Sequence, residues 1–312
     1  METKMKGIHH ITAIVGNPQE NVDFYAGVLG LRMVKQTVNF DDPGTYHLYF
    51  GDKQGSPGSI ITFFPWDGAH KGRIGGGQVG TTSYAVPKGS LSFWENRLEK
   101  FKVSFSRDER FGETSLVFND PHGLQLELVE RGSGKVNQWT AGEVTSDSAI
   151  KGFAGASLLS ANPELTAQLL IDVMGLEQIG EDDEFIRFKS TADIGNIVDL
   201  KKEAVARGRM GVGTVHHIAW RAEDDSDQLQ WKEHLEKNSY PVTPVQDRNY
   251  FNAVYFREHG DILFEIATDP PGFSIDEAPE ELGTKLKLPV QYETHREQLK
   301  QVLQPIEVRL LD

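Results

Sequence analysis

The sequence of 312 residues contains no cysteine. This absence excludes disulfide bonds, zinc–thiolate sites, iron–sulfur clusters and thiol nucleophiles. Any chemistry that depends on a cysteine thiol of the protein is therefore ruled out.

Long apolar runs and an excess of positive charge are also missing. No apolar run approaches the roughly 18 residues that a membrane span needs, and no signal-type apolar segment follows residues 1–6. The 32 basic residues are outnumbered by 46 acidic ones, and the formal net charge of −14 opposes nonspecific binding to nucleic acid or anionic membranes. We expect a cytoplasmic protein that has no nucleic-acid or membrane partner and recognises its ligand locally.

What the chain does contain is an internal repeat. Asn17-Pro18 and Asn162-Pro163 each supply an N-cap and a proline for the start of a helix, and Gly30 and Gly175 end those helices at matching distances. Short strands precede and follow each helix, in the order strand, helix, three strands. Two further segments match each other through the helix motif Trp-x-x-x-Leu-Glu-Lys and a His-Gly turn before the last strand. The repeat therefore spans roughly 140 residues and contains two modules.

The repeat predicts an α+β fold built from four βαβββ modules. One such module cannot bury its apolar sheet face alone, so the modules must pair. The C-terminal tail contains a predicted helix and either lies over a module or forms a lid. The predicted divisions are an N-terminal half, 1–135, with modules 7–66 and 79–130; a polar linker, 136–150; a C-terminal half, 151–269, with modules 151–206 and 213–269; and the tail, 270–312.

Two histidine pairs and one carboxylate could carry the chemistry. The pairs His9-His10 and His216-His217 each open an apolar strand, and Glu265 lies inside another. A buried charge needs a partner, and two histidines with one carboxylate form the ligand set of iron(II) sites that keep an open face. Neighbouring strand residues face opposite sides, and we favour His10 and His217 as the ligands. Such an ion would retain net positive charge and would attract a phenolate.

A single unmatched histidine is more often hydrogen-bonded or exposed than metal-bound. We therefore interpret His47 and the other unpaired histidines as structural or solvated. Aligning the four modules on their opening glycines and terminal strands places Glu127 and Asp199 at the position of Glu265, but without histidines, so they are interpreted as structural or vestigial. The aligned sets are His10, Ser83, Gly155 and His217, and Thr62, Glu127, Asp199 and Glu265.

A shared metal has a topological consequence. His10 belongs to the first module, whereas His217 and Glu265 belong to the fourth. Ligand bonds of about 2.0–2.2 Å require these modules to pack together, which leaves the second and third as the other pair. A domain-swapped dimer would meet the same requirement, and a homo-oligomer is compatible with the sequence.

These features resemble the vicinal-oxygen-chelate superfamily and, within it, the bacterial hydroquinone-type ring-cleaving dioxygenases of the methylhydroquinone-resistance type. The resemblance covers essentially the whole chain, including the stretch NPQENVDFYAGVLGLRMVKQTVNFDDPGTYHLYFGD and the tail segment LPVQYETHREQL. It implies modules 1+4 and 2+3 paired into two open-barrel sheets. It also implies an iron(II) ion, with manganese(II) as the alternative, held by His10, His217 and Glu265. The further site residues that it implies are His9, Thr12, His216, Arg248 and Tyr255.

The chemistry of these further residues is consistent with such a site. An arginine can hold a developing oxyanion, and a tyrosine can donate to a phenolic oxygen. The alternatives are a sheet-core role for Tyr255 and a surface-loop role for Arg248. Gly155 stands where the catechol-cleaving branch has a ligand histidine, and Lys201-Lys202 occupy the region of its acid–base histidine. These departures favour a para-diol, with His9 or His216 available for proton transfer.

The sequence thus predicts an iron(II)-dependent extradiol-type dioxygenase that acts on hydroquinone or substituted hydroquinones with dioxygen. A glyoxalase-like lyase or isomerase is the first alternative, since the same scaffold can move protons at a metal. That enzyme would usually need a further carboxylate ligand where Thr62 stands. A protein that sequesters a quinone or drug without turnover is the second alternative.

Overall fold

The computed structural model describes residues 4–311, which contain two eight-stranded mixed sheets. The strand order of the first sheet places the fourth module beside the first, and that of the second sheet places the third beside the second. The predicted α+β architecture and both module pairings are therefore confirmed. None of the helices within residues 4–311 is long and apolar enough to cross a lipid bilayer.

The first module begins with a completely buried strand and a short capped helix. The side-chain oxygen of Asn17 accepts hydrogen bonds from the amides of Gln19 and Glu20, which satisfies the start of α1 (Pro18–Val22). The helix then widens into a π-helical turn, Asp23–Val28, and the chain reverses at Gly30 with φ of 67°. The strands of this module are β1 (Ile8–Val15), β2 (Arg32–Val38), β3 (Tyr46–Gly51) and β4 (Ile60–Pro65).

The third module has the same order of elements as the first, and its helix has the same cap and the same irregular end. Its helix α3 (Pro163–Gln168) is capped by Asn162 and also ends in a π-helical turn, Leu169–Val173, ahead of Gly175. The repeat detected in the sequence therefore extends to a local irregularity that propensity does not predict. Its strands are β9 (Gly152–Leu159), β10 (Glu177–Glu181), β11 (Phe185–Lys189) and β12 (Ile197–Lys201).

The second and fourth modules carry longer, regular helices, α2 (Leu91–Lys100) and α4 (Asp225–Lys237). In both, the tryptophan of the repeated motif, Trp94 or Trp231, is buried against the sheet. The second module has β5 (Gln78–Val86), β6 (Phe105–Arg110), β7 (Glu113–Asn119) and β8 (Gln125–Glu130). The fourth has β13 (Thr214–Ala222), β14 (Gln246–Asp247), β15 (Phe251–Arg257) and β16 (Leu263–Pro271).

The segment 136–150 packs against both neighbouring helices. Val144 is fully buried, and a Cβ atom at Gly30 would lie only 2.9 Å from the Val144 Cβ, so the close contact requires glycine. The carbonyl of Ser148 accepts a hydrogen bond of 3.0 Å from the indole of Trp94. A domain boundary within this segment stays a prediction.

The C-terminal tail lies along the first module. It contains 3-10 turns and the helix α5 (Arg296–Val302), and the backbone amide of Lys287 donates to the carbonyl of Gln36 in β2. Near its end, Arg309 pairs with Asp23 at the start of the π-helical turn. Of the two arrangements left open by the sequence, the tail therefore adopts the one that covers a module.

Candidate metal centre and active site

The three predicted ligands meet at the centre of the first sheet. There β1 runs antiparallel to β13, and β16 runs parallel to β13 on the other side. The Nε2 atom of His217 lies 2.9 Å from Oε2 of Glu265, and Nε2 of His10 lies 3.4 Å from the same oxygen. All three are buried, and within residues 4–311 they form the one group of side chains close enough to share a metal ion.

The donor set fits a divalent metal on electrostatic grounds. Both oxygens of Glu265 are buried, and within the described part of the chain neither accepts a hydrogen bond of normal geometry. Burial alone would raise the pKa of Glu265, but the adjacent imidazoles of His10 and His217 hold it well below its usual value. A buried carboxylate between two imidazoles is a favourable environment for a cation, because the cation supplies the charge that the protein leaves uncompensated.

The first histidine of each pair stands behind the second. Nδ1 of His9 lies 2.9 Å from Nδ1 of His10, and Nδ1 of His216 lies 2.8 Å from Nδ1 of His217. Burial lowers the pKa of His9 well below its usual value, and burial and the charge of His217 lower that of His216 to about 3. Both rings are therefore neutral and can accept the Nδ1 proton of the ligand, which leaves each ligand Nε2 free for a metal.

The predicted residues Arg248 and Tyr255 lie beside the same triad. Tyr255 stands opposite Glu265 in the β15–β16 pairing, and its hydroxyl accepts a hydrogen bond of 3.3 Å from Nε of Arg248. Burial and the negative charge of Glu265 raise the pKa of Tyr255, so the phenol keeps its proton. The guanidinium is further held by Gln246 at 2.6 Å and stacks near Phe40. The site therefore has an arginine and a phenolic donor on one wall.

Thr12 lies on the other wall, within a hydrogen-bonded row that the sequence did not predict. Its hydroxyl lies 2.8 Å from that of Thr62, which stands opposite it in the β1–β4 pairing. The Thr62 hydroxyl is also 2.8 Å from Nε2 of His47, and Nδ1 of His47 is 2.9 Å from the hydroxyl of Tyr49. His47 is buried and hydrogen-bonded, so of the two roles expected from the sequence the solvated one is wrong, and the residue also lines the same cavity as the ligands.

A cavity of about 560 Å³ opens in front of the three ligands. Its volume lies in the range of small-molecule sites. Acidic residues Asp41 and Asp42 stand at its edge, from the loop between β2 and β3. Its apolar lining is mostly aromatic and consists of Phe40, Phe64, Trp66, Phe251 and Leu263.

The equivalent place in the second sheet contains ion pairs instead of a metal-ligand set. Arg110 lies 3.1 Å from Glu127 and 3.0 Å from Asp199, and Arg187 makes a bidentate pair with Asp199 at 2.7 and 2.8 Å. The carboxylates of Glu127 and Asp199 are thus engaged in ion pairs, and their interpretation as structural or vestigial stays a prediction. Ser83 stands opposite Glu127 as Thr12 stands opposite Thr62. The alignment of Ser83 with His10 was therefore wrong by two residues.

Comparison with known proteins identifies the family of the chain. The model of the "Glyoxalase/Bleomycin resistance protein/Dioxygenase superfamily" matches residues 7–128 and 154–276. The chain belongs to this superfamily. Its two matched regions correspond to the two copies of the repeat, and the ligand set spans both of them.

Two curated relatives and one solved structure are informative members. The chain is 66% identical to MhqO of Bacillus subtilis, described as a putative ring-cleaving dioxygenase, over 100% of both chains. It is 33% identical to a chlorohydroquinone/hydroquinone 1,2-dioxygenase of Sphingobium indicum, over 95% of both chains. A crystal structure of a putative dioxygenase from Bacillus subtilis superposes with a TM-score of 0.98 at 66% identity, covering 99% of this chain and 100% of that one.

Proposed function

We propose that the protein is an iron(II)-dependent, extradiol-type dioxygenase that opens the ring of hydroquinone or a substituted hydroquinone. The observation that carries the proposal is the buried set His10, His217 and Glu265 facing a cavity with a largely aromatic apolar lining. The similarity to a chlorohydroquinone/hydroquinone 1,2-dioxygenase over nearly the full length supports the substrate class. Manganese(II), which accepts the same ligand types, is the alternative ion.

Different residues of the chain bind the substrate ring and stabilise the charge that develops on its oxygen. The aromatic lining packs against a phenyl ring, which holds one ring oxygen toward the ligand triad. When bound, iron(II) supplies the redox chemistry by which dioxygen reacts with a phenolate. Tyr255 keeps its proton at neutral pH and can donate it to a substrate oxygen, and Arg248 beside it stabilises negative charge that develops there.

His9 and His216 hold the ligand rings in one tautomer. Because each accepts the Nδ1 proton of its neighbour, the ligand Nε2 lone pair stays available and the ring cannot rotate freely. We also propose that one of these two histidines moves a proton during ring opening, as expected from the sequence.

The lyase alternative receives less support from the geometry. Thr62 occupies the position where a lyase would be expected to carry another carboxylate ligand. Its hydroxyl is engaged by Thr12 and His47, and threonine offers no carboxylate oxygen to a metal.

Oxygen uptake tests the proposal directly. Protein loaded with iron(II) without air and then given methylhydroquinone and oxygen should consume one dioxygen per ring opened. Both atoms of labelled dioxygen should appear in the product, because an extradiol-type dioxygenase incorporates both. Glu265→Ala is the control. An absence of uptake would overturn the proposal; conversion of a methylglyoxal–thiol adduct without oxygen would support the lyase. Binding of methylhydroquinone that persists after a chelator has removed the metal, with no turnover, would support a sequestering protein.

A further inference from the structure

The row Tyr49, His47, Thr62 and Thr12 has one end in the protein interior and the other at the cavity. Tyr49 is completely buried, and among residues 4–311 its hydroxyl has His47 as its single hydrogen-bond partner. Thr12 lines the cavity beside the ligands, and its hydroxyl is bonded in the described chain to Thr62 alone. The two ends of the row therefore have different surroundings.

If every hydrogen bond of the row is to form, all of them must run in the same donor-to-acceptor direction. A neutral imidazole has one N–H and one acceptor nitrogen, and each hydroxyl has one proton to donate. Burial, and then His10 and His217, lower the pKa of His47 well below its usual value, and burial raises that of Tyr49. Both residues are thus neutral, and two arrangements remain, one running toward the cavity and one running away from it.

The buried end decides between these arrangements. If the row ran away from the cavity, Nδ1–H of His47 would donate to Tyr49, and the Tyr49 proton would be buried without an acceptor. An unpaired buried donor is costly, whereas a hydroxyl that faces a cavity can donate to water or to a ligand. In the favoured arrangement Tyr49 donates to His47, Nε2–H of His47 donates to Thr62, and Thr62 donates to Thr12.

We propose that Tyr49, His47 and Thr62 are positioning residues that force Thr12 to present its hydroxyl proton to an oxygen of the bound diol. The row thereby adds a donor with fixed polarity on the wall that Tyr255 and Arg248 do not occupy. It favours a substrate oxygen that carries negative charge, because Thr12 accepts the hydrogen bond of Thr62 and has its own proton left to donate. This assignment rests on the proposed function for the identity of the substrate but not for the direction of the hydrogen bonds.

The tautomer of His47 tests the direction without any turnover. Nitrogen-15 spectra of metal-free and zinc-loaded protein should show Nε2 of His47 protonated and Nδ1 unprotonated, with His47→Gln used to assign the signals. In Tyr49→Phe the preference should weaken, because the donor that fixes Nδ1 as acceptor is gone. A His47 ring protonated on Nδ1 in the wild-type protein would overturn the proposal, whatever the enzyme's activity.

Substrate affinity tests whether the row acts through Thr12. Anaerobic calorimetry with iron-loaded protein and methylhydroquinone allows binding without turnover. Thr12→Val should weaken binding about 10- to 100-fold, as expected for a bond to a charged oxygen, and Tyr49→Phe about two- to tenfold. In the double variant the effect of Tyr49→Phe should disappear. If it persists in full, Tyr49 does not act through Thr12 and the proposal fails.

Two controls separate this role from general packing. Tyr84 is a buried tyrosine of the second sheet whose hydroxyl has no hydrogen-bond partner among residues 4–311, so Tyr84→Phe should leave affinity unchanged. His47→Gln retains an N–H donor for Thr62 and should bind close to the wild-type level, whereas His47→Leu should resemble Thr12→Val. Equal losses in the glutamine and leucine variants, with unchanged metal content and folding, would contradict the proposal.

Discussion

Each of the three proposed metal ligands can be removed singly. His10→Ala, His217→Ala and Glu265→Ala should each reduce bound iron far below one ion per chain, since two ligands cannot compete with water as three can. Metal content after anaerobic loading and desalting measures this, together with circular dichroism to confirm folding. His234→Ala is a matched control, because that histidine bonds a backbone carbonyl 3.0 Å away. Full iron content in all three variants would show that the site is wrong.

Replacing His9 or His216, which stand behind the proposed ligands, should lower the metal affinity without abolishing metal binding. His9→Leu and His216→Leu remove the acceptors of the Nδ1 protons of His10 and His217. Loss of such an orienting bond typically weakens metal affinity about 10- to 100-fold. Competition with a chelator of known affinity gives the number, and His234→Leu supplies the baseline. Unchanged affinity in both variants would mean that these contacts do not orient the ligands.

At the level of single residues, the sequence predicted those site residues whose pattern occurs in two modules. The matched histidine pairs marked His10 and His217 because an accidental pair would not recur in another module. His47 had no such counterpart, and its approach to the site depends on β3 and β4 pairing so that Thr62 joins it to Thr12. A contact that forms only when separate strands pair leaves no periodic signal in any one of them.

Among the secondary-structure elements, the sequence pattern predicted the helix starts well and the strand register poorly. The Asn-Pro caps predicted both helix starts, because a side-chain acceptor and a fixed proline φ act locally. The module pairing followed from the ligands, since β1 and β13 had to meet. The alignment of Ser83 failed because β5 begins at Gln78, ahead of the glycine used to align it. Register is a property of paired strands, and one strand alone does not specify it.

The ion pairs of the second sheet provide a stability prediction at this level. Asp199 is 4% exposed and bonds two arginines, so Asp199→Asn removes one negative charge from a buried ion-pair cluster and leaves an excess of positive charge there. The free energy of unfolding should fall by about 3 kcal/mol. Denaturant titration measures the loss, while iron content should not change. Glu233→Gln, at an exposed i,i+4 pair with Lys237, should have no measurable effect. Loss of iron in Asp199→Asn with an intact fold would mean that the two sheets are coupled.

Across the whole molecule, the three proposed metal ligands lie on the first strand, the last strand and β13 between them. Because the metal binds the native arrangement of both modules, it should stabilise folding by mass action. At free metal about 100-fold above the dissociation constant, the gain is about 2.7 kcal/mol. Anaerobic thermal unfolding with and without iron(II) should show a higher midpoint with metal, and Glu265→Ala should show none of this shift. An equal shift in that variant would place the bound ion elsewhere.

One buried cation, Lys35, is among the contacts that hold the tail to the first module. Lys35 of β2 is fully buried, donates to the Phe273 carbonyl at 3.1 Å and to Asp276 at 2.5 Å, and pairs with Glu277. Its ammonium also lies 4.8 Å from the ring centre of Tyr250. The sequence did not reveal this contact, because a lone lysine in a strand usually marks an exposed edge. The buried ammonium therefore couples the tail to β2 and, through Tyr250, to the wall of the fourth module.

Lys35→Met should release this attachment. Glu277 would remain buried without its partner, so the free energy of unfolding should fall by about 3 kcal/mol and protease should cut the tail between residues 272 and 284. Iron content should stay the same, since no ligand lies in the tail. Adding Glu277→Gln should recover part of the loss, because the unpaired buried charge is then removed. Wild-type stability and protease resistance in Lys35→Met would show that other contacts, such as that of Arg309 with Asp23, hold the tail.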